Sequence, residues 1–138
     1  MQLKGVCMAK RILAEIAKLT NVDQSKIPFG TLDITLHRDD LDNFKMPIIK
    51  DTVLPFDISS KNIILVDDVL YTGRTIRAAL DVLMDFDRPK SIQLAVLVDR
   101  GSRELPIEAK YVGIKYNAKK FIKVECKETD GIDKVAGS

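Results

Sequence analysis

The sequence predicts an α/β domain in which a parallel sheet is flanked by helices. Three observations lead to this prediction. The short apolar run at residues 63–66 is typical of a buried strand. From Ile76 onward, apolar residues recur at helical spacing, which predicts a helix after that strand. The nearly all-apolar run at residues 92–98 predicts a second strand covered on both faces, and strands that alternate with helices favour a parallel sheet.

The first third of the chain contains a helix, a strand and a long connection. An amphipathic pattern predicts a helix over residues 6–19. Alternation of apolar and polar residues predicts a strand over residues 31–37. The segment that follows has no such period, so we expect a mobile loop at about residues 38–60. A loop of this length inside a compact domain is usually functional.

The last third of the chain shows weaker patterns. Arg88-Pro89 ends the helix that begins near Ile76, since proline cannot continue a helix. Residues 111–115 and 121–125 predict two more short strands. No element is assigned to the tail at residues 128–138.

A glycine-containing turn follows the first predicted strand. Asp67 and Asp68 come directly after that strand, and the turn then leads into the helix through Tyr71, Thr72, Gly73, Arg74 and Thr75. Backbone N–H groups at a helix start have no partner within the helix and form a phosphate site. A glycine at position 73 lets an anion approach the backbone closely. This order predicts a phosphate site with two carboxylates beside it.

The two carboxylates would repel the phosphate, so we expect them to face another part of the ligand. Ionised Asp67 and Asp68 can accept hydrogen bonds from a ribose diol. They could also lie near Mg²⁺, usually through water. The alternative is that Asp68 only caps a turn and that Asp67 pairs with a basic neighbour.

The composition is that of one ordinary globular domain spanning residues 1–138. The chain is 46% hydrophobic and 30% charged. Its net charge of +2 gives no whole-chain attraction for nucleic acid, so an RNA site would need a local basic patch. No apolar run approaches the roughly 18 residues of a membrane span, and we expect a cytoplasmic protein.

Cys7 and Cys126 have no neighbouring cysteine or histidine, so buried, unreactive thiols without a metal are expected.

The segment VDDVLYTGRT at residues 66–75 resembles the phosphoribosyl-pyrophosphate (PRPP) motif of type I phosphoribosyltransferases. The longer match adds RPKSIQLAVLVDRG at 88–101, RELPI at 103–107 and DITLHRDDL at 33–41. Together these segments are similar to the pyrimidine operon attenuation regulators that double as uracil phosphoribosyltransferases. The resemblance runs with gaps from about Lys4 to about Gly113.

This resemblance implies a sheet of flavodoxin-like order and a transfer reaction. Ribose 5-phosphate would pass from PRPP to uracil, giving UMP and pyrophosphate, with Mg²⁺ as cofactor. Asp67 and Asp68 would hold the ribose hydroxyls, with Mg²⁺ near them through water or PRPP. The turn at residues 71–75 would hold the 5′-phosphate.

The resemblance also implies contacts from other segments. Lys4 and Gly5 would form a loop ahead of the first helix that contacts pyrophosphate. Arg38 would reach the diphosphate from a mobile lid that excludes water during the reaction. A hood over the nucleobase would be formed by Val98, Asp99 and Arg100.

A second hypothesis is an RNA-binding transcription attenuation regulator that senses UMP or PRPP in the same pocket. Its partner would be a pyrimidine-leader mRNA, bound by a basic surface on a homo-oligomer that includes Arg103, Lys110, Lys115, Lys119 and Lys120. Glu108 and Ile114 stand where RNA-binding members of the family tend to be basic. Because phosphate contacts dominate RNA affinity, these two residues favour the enzyme over the regulator.

A third alternative is a nucleotide-binding remnant without turnover. The family has a helix and a strand before the position of Lys4, whereas Met1 lies only three residues ahead of it. We therefore expect an N-terminally truncated fold. In the flavodoxin-like order the absent strand would lie between residues 31–36 and 62–66, and the open edges would drive self-association.

Overall fold

The computed structural model of the chain describes residues 3–34, 52–117 and 121–137. The helices and strands occur in the order α1 (Leu3–Thr20), β1 (Asn62–Leu70), α2 (Arg74–Phe86), β2 (Ser91–Asp99), β3 (Tyr111–Lys115), β4 (Ile122–Glu125), α3 (Lys127–Asp130) and β5 (Lys134–Gly137). A 3-10 turn at Gln24–Lys26 follows α1. Among these described helices, none is long and apolar enough to cross a membrane.

β1, β2 and β3 form a parallel sheet in that order. β1 and β2 pair along their whole length, from Asn62 opposite Ser91 to Leu70 opposite Asp99. Every side chain from residue 94 to residue 98 is buried or half-buried. The predicted parallel sheet is therefore confirmed, and its central strand is covered as its continuous apolar run requires.

α2 packs on the sheet through the apolar positions that predicted it. Ile76, Ala79 and Leu83 are at most 3% exposed and belong to one core cluster with Leu65 and Leu94. The helix begins at Arg74, two residues before its first apolar position. Periodicity does not report this first turn because its residues face away from the core.

The tail contains structure that the sequence did not predict. β4 pairs antiparallel with β5, and α3 lies between them. Ile122 and Val124 of β4 pack with Val98 in a second apolar cluster. β5 is almost entirely exposed and so lacks an apolar alternation; its position is defined by backbone pairing with β4.

The N-terminal helix differs from the prediction at its first residues. α1 begins at Leu3, so Lys4 and Gly5 lie in its first turn and not in a loop ahead of it. A Cβ atom at Gly5 would lie 3.1 Å from the carbonyl oxygen of Val66 in β1. Gly5 therefore allows α1 to approach β1 closely, a packing role that a loop glycine would not have.

The strand predicted at residues 31–37 is not formed over its described part. Thr31 makes a single antiparallel bridge with Val53, through N–H···O contacts of 2.8 and 2.9 Å. Leu32 and Ile34 are buried in the core cluster without belonging to a strand. The alternating pattern here reflects the burial of every second side chain. It wrongly predicted a strand because such burial does not require pairing with a neighbouring strand.

The loop predicted at about residues 38–60 is only partly described. Arg38 and the rest of residues 38–51 lie outside the described residues. In the part that is described, Leu54 and Phe56 pack against the core and Ile58 is 3% exposed. Residues 54–58 are thus anchored, because every second side chain is apolar and enters the core.

A substitution in α2 tests the core assignment. Leu83 is 2% exposed, and a buried Leu→Ala change lowers the free energy of unfolding by about 2–5 kcal/mol. We expect a loss of that size for Leu83→Ala in urea denaturation. Met84→Ala is the control, since Met84 is 56% exposed and should change stability by about 0.5 kcal/mol or less. Similar losses for both variants would contradict the described packing face.

Candidate functional site

The carboxyl ends of β1 and β2 meet at one edge of the sheet. The N–H group of Arg100, just after β2, donates to the carbonyl oxygen of Leu70 at the end of β1, at 3.0 Å. The turn at residues 71–73 leaves β1 here and leads into α2. In open α/β sheets this edge is where ligands bind.

The acidic pair lies inside β1. The sequence had predicted it directly after the strand, and the structure corrects this. Asp67 and Asp68 belong to β1, which continues to Leu70. Successive side chains of a strand point to opposite faces. Asp67 is accordingly 5% exposed whereas Asp68 is half-buried. The Asp67 Oδ1 atom accepts a hydrogen bond from the Asp68 N–H at 2.8 Å, and Asp68 Oδ1 accepts one from Val69 at 2.8 Å.

Burial makes ionisation of Asp67 less favourable. Desolvation, followed by the negative charge of neighbouring Asp68, raises the pKa of the Asp67 carboxyl well above its ordinary value. A Cβ atom at Gly5 would lie 3.5 Å from Asp67 Oδ1, so the first turn of α1 lies directly against this carboxyl group. Of the two acids, Asp68 is the one with access to solvent.

The turn between β1 and α2 depends on a glycine. Gly73 precedes the first residue of α2 with φ of 93°, in the left-handed region that glycine adopts without strain. Thr72 Oγ1 accepts a hydrogen bond from the Arg74 N–H at 3.2 Å. The N–H groups of the first turn of α2 point toward the same edge of the sheet as the ends of β1 and β2, and a helix start of this kind favours an anion.

The missing side chain of Gly73 faces protein. A Cβ atom at position 73 would lie 3.4 Å from Cβ atoms of both Leu105 and Ile107. A valine at this position would therefore press on these two residues and strain the backbone. The glycine at position 73 therefore makes room for Leu105 and Ile107, a role that its proposed contact with an anion did not predict.

The segment after β2 folds back over the turn and is held there by Arg103. The guanidinium group donates to Asp99 Oδ2 at 2.7 Å, to the Tyr71 carbonyl at 3.0 Å and to the Ile107 carbonyl at 2.7 Å. Its hydrogen bond lowers the pKa of Asp99 below the ordinary value. Arg103 therefore joins the end of β2, the turn and the returning segment.

Arg103 was assigned from the sequence to an RNA-binding surface, and the structure gives it a further role within the fold. Its side chain is 21% exposed, and its N–H groups are directed at Asp99 and at carbonyls. The sequence contains a signal for this role, an Asp and an Arg four residues apart. This spacing leads to an ion pair only because the chain turns back at Gly101 and Ser102, which have positive φ angles of 72° and 59°.

Further contacts bind the turn to residues 100–105, which include the end of the hood and the segment that follows it. The Thr72 carbonyl accepts hydrogen bonds from the N–H groups of Glu104 at 2.9 Å and Leu105 at 3.1 Å. Arg74 Nε donates to Glu104 Oε2 at 2.9 Å. The guanidinium carbon of Arg100 lies 3.8 Å from the centroid of the Tyr71 ring. The turn and the hood thus form one connected unit.

The structure brings most of the predicted site residues to this edge, namely Asp68, Tyr71, Thr72, Gly73, Arg74, Thr75, Asp99 and Arg100. Val98 is 1% exposed, so only its backbone is positioned to face a ligand. Gly5 lies against Asp67, whereas the side chain of Lys4 and all of Arg38 lie outside the described part of the chain. A cavity of about 320 Å³ between α1 and the first half of β1 is lined mainly by apolar side chains and does not include the acidic pair or the turn.

Comparison with known proteins shows the family of the chain. A family model described as "Phosphoribosyl transferase domain" matches residues 3–129. The chain belongs to the phosphoribosyltransferase family. It is 76% identical over 136 residues to the bifunctional protein PyrR of Endomicrobium trichonymphae, covering 97% of this chain and 77% of that protein. It is 55% identical over 135 residues to the bifunctional protein PyrR of Deinococcus deserti, covering 96% and 72%.

Among solved structures, the phosphoribosyltransferase is similar to a hypoxanthine-guanine phosphoribosyltransferase from Bacillus anthracis. The match has a TM-score of 0.51 and 27% identity, and covers 64% of this chain. The chain spans about half of that protein, 53% of its length. These comparisons confirm the predicted type I phosphoribosyltransferase fold and the resemblance to pyrimidine regulators of the PyrR group.

A substitution of Asp99 tests whether the ion pair holds the hood. Asp99→Asn removes the charge that Arg103 contacts, and both side chains are largely buried, so we expect a loss of about 1.5–3 kcal/mol in the free energy of unfolding at pH 7. Asp81→Asn is the control, because the Arg77–Asp81 pair has the same spacing but side chains 39% and 46% exposed, and should lose at most about 1 kcal/mol.

The same variant has an expected pH dependence. A lowered folded-state pKa means that Asp99 stabilises the fold above its unfolded value of about 3.9, and that this stability is lost as the pH falls through the folded value. The difference between the parent chain and Asp99→Asn should therefore shrink below about pH 4 in urea denaturation. A difference that stays constant down to about pH 2 would contradict the ion-pair explanation.

Proposed function

We propose that this phosphoribosyltransferase transfers ribose 5-phosphate from PRPP to uracil, giving UMP and pyrophosphate. The observation that carries the proposal is the junction of the β1–α2 turn with the hood after β2. This junction places a helix start, an accessible carboxylate and a rigid backbone segment at one edge of the sheet. These three features correspond to the phosphate, ribose and base of a nucleoside monophosphate.

The 5′-phosphate would bind at the start of α2. The backbone N–H groups there, with the hydroxyls of Thr72 and Thr75, supply donors for an anion. Thr72 is already oriented by its contact with the Arg74 N–H. Arg74 itself is engaged with Glu104, so its side chain serves more to hold the hood than to bind phosphate.

The ribose hydroxyls would bind to Asp68. This carboxylate is half-buried and follows Asp67 on the opposite face of β1. Asp67 would contribute less by direct contact and more by accepting the Asp68 N–H, which fixes the backbone at that point. The sequence-based proposal of two equivalent ribose ligands is therefore narrowed to one ligand and one supporting residue.

Uracil would lie under the hood at residues 98–101. The N–H of Gly101 donates to Asp99 Oδ1 at 3.0 Å, and the Asp99 carbonyl accepts from Tyr116 at 2.9 Å. A carbonyl oxygen has two lone pairs, so a carbonyl held in this way can accept a second hydrogen bond. A fixed backbone of this kind can recognise the alternating carbonyl and N–H groups of a pyrimidine.

Of the two carboxyl groups near the end of β1, one is suited to bind Mg²⁺. Magnesium prefers carboxylate oxygens and keeps several waters, which fits the half-buried Asp68. It does not fit Asp67, whose burial and raised pKa favour the neutral form. When bound, Mg²⁺ would neutralise negative charge on the diphosphate. Lys4 and Arg38 remain proposals for cationic contacts to the same group.

The chain's own residues would act by positioning. The C1′–oxygen bond to the diphosphate breaks and its electron pair leaves with pyrophosphate. The bond from C1′ to uracil N1 forms, and the proton of N1 passes to pyrophosphate or to water. Holding phosphate, ribose and base in line supplies most of what this step needs, and donors that are already oriented stabilise charge without reorganisation. No side chain is assigned as an acid or base.

Turnover with different bases tests this function. With PRPP and Mg²⁺, we expect product from uracil and none from hypoxanthine or guanine. Asp68→Asn should lower kcat/KM by about 10–100-fold, since a hydrogen bond to a charged group contributes about 1.5–3 kcal/mol. Asp81→Asn, on the exposed face of α2, should leave turnover unchanged. Turnover of a purine base alone would contradict the base assignment, and UMP binding without turnover would favour the non-catalytic alternative.

RNA binding is a second candidate function, favoured by the name "bifunctional" that the relatives carry. Lys110 and Lys115 are exposed near the two ends of β3 and could contact phosphates. Arg103 contributes little, because it is engaged in the hood.

Filter binding to a pyrimidine-leader RNA across a salt series measures how many phosphates the protein neutralises. Replacing Lys110 and Lys115 by alanine should weaken binding and reduce the slope of log K against log salt by about 1.4, since each phosphate that is no longer neutralised lowers the slope by roughly 0.7. Lys10→Ala/Lys18→Ala on α1 is the control and should leave the slope unchanged. An equal effect of both pairs would indicate non-specific attraction only.

A further inference from the structure

Two cysteines from opposite ends of the chain meet in the fold. Cys7 in α1 and Cys126 before α3 are 7% and 0% exposed. The Cys7 thiol donates to Glu128 Oε2 at 3.0 Å and also contacts the Cys126 thiol. One ligand atom from each of Cys7, Cys126 and Glu128 lies within 4.8 Å of the others. The sequence had argued against a metal here because neither cysteine has a cysteine or histidine close to it in the chain.

We propose that Cys7, Cys126 and Glu128 form a binding site for a zinc-like divalent cation. With Zn–S of about 2.3 Å and Zn–O of about 2.1 Å, a tetrahedral ion needs sulfur atoms about 3.8 Å apart and sulfur–oxygen separations of about 3.6 Å. The Cys7 Sγ–Glu128 Oε2 distance of 3.0 Å is about 0.6 Å shorter than this, and the other separations exceed these values by about 1.2 Å at most. Side-chain rotations can supply such a change without moving the backbone.

The ligand types select the metal. Two thiolates and one carboxylate suit Zn²⁺, whereas Mg²⁺ and Ca²⁺ prefer sites made of oxygen alone. Three protein ligands leave a fourth position for water. Glu128 is the accessible member of the set, with a side chain 55% exposed, and so offers a path by which the ion could enter.

The surroundings are already organised around the carboxylate. Arg11 donates from Nε to Glu128 Oε1 at 3.0 Å and from Nη2 to Oε2 at 2.6 Å. Arg11 Nη2 also donates to Asp133 Oδ1 at 2.6 Å. Hydrogen bonds to a ligating carboxylate orient it for metal binding. The Cys126 N–H donates to Asp130 Oδ2 at 2.8 Å, which fixes the second cysteine.

The exchange balances in charge. Both thiols lose a proton when one divalent ion enters, so two positive charges leave the cluster and two arrive. Glu128 and Arg11 keep their charges throughout. The ion would join α1 to the C-terminal segment, and α1 is the helix that covers Asp67.

Cobalt and zinc titrations of the full chain, in a phosphine reductant that prevents disulfide formation, test the site. We expect one Co²⁺ per chain, with a thiolate-to-cobalt charge-transfer band and the visible bands of tetrahedral cobalt, displaced by Zn²⁺. Cys7→Ser and Cys126→Ser should each lose the charge-transfer intensity and the rise in Tm that Zn²⁺ causes. Cobalt binding without the band, or with the band unchanged in either serine variant, would overturn the proposal.

Glu128→Gln keeps the test decisive if a serine variant fails to fold, because Glu128 is exposed. Loss of even an outer-shell partner weakens metal binding by about 10–100-fold, so loss of this ligand should weaken Zn²⁺ binding at least tenfold in competition with a chromophoric chelator. Glu15→Gln, an exposed carboxylate elsewhere on α1, should bind Zn²⁺ as the parent does. Equal affinity of Glu128→Gln and the parent would overturn the three-ligand site.

Discussion

The parallel pairing of β1 with β2 is the constraint on which the candidate functional edge depends. It sets Leu70 opposite Asp99, so that two segments distant in the chain leave the sheet side by side. One guanidinium group, that of Arg103, then joins them through Asp99 and the Tyr71 carbonyl. Since the partners of Arg103 are a carboxylate and backbone carbonyls, its charge is compensated and its N–H groups are used in a partly buried place.

The acidic pair shows how strand geometry separates two similar groups. Two adjacent carboxylates facing one ligand would repel each other as well as its phosphates. In β1 they point to opposite faces, and burial of Asp67 raises its pKa so that its negative charge is disfavoured. Asp68 is left as the accessible acid. The geometry thus assigns different chemistry to two residues of the same type.

α1 connects the candidate functional edge with the C-terminal segment. Gly5 brings its first turn against β1 at Asp67. Two residues later Cys7 contacts Cys126 and Glu128, and burial is the first cause that raises the pKa of the Cys7 thiol to about 12. One turn further along, Arg11 lowers the pKa of Glu128 to about 2 through its hydrogen bonds. One helix therefore reaches residues from both ends of the fold.

The sequence by itself determined the strands β1 to β4, the helix α2 and the glycine turn between β1 and α2, because apolar runs, apolar periodicity and Gly73 are all local signals. It also identified the family, since VDDVLYTGRT is a continuous motif. Only the tertiary structure decided the extension of α1 over Lys4 and Gly5, the anchoring of residues 54–58, the role of Arg103 and the pairing of β5. It alone brought Cys7, Cys126 and Glu128 together. Each of these depends on contacts between residues far apart in the chain, and no local pattern records which distant side chain will fill a given space or accept a given hydrogen bond.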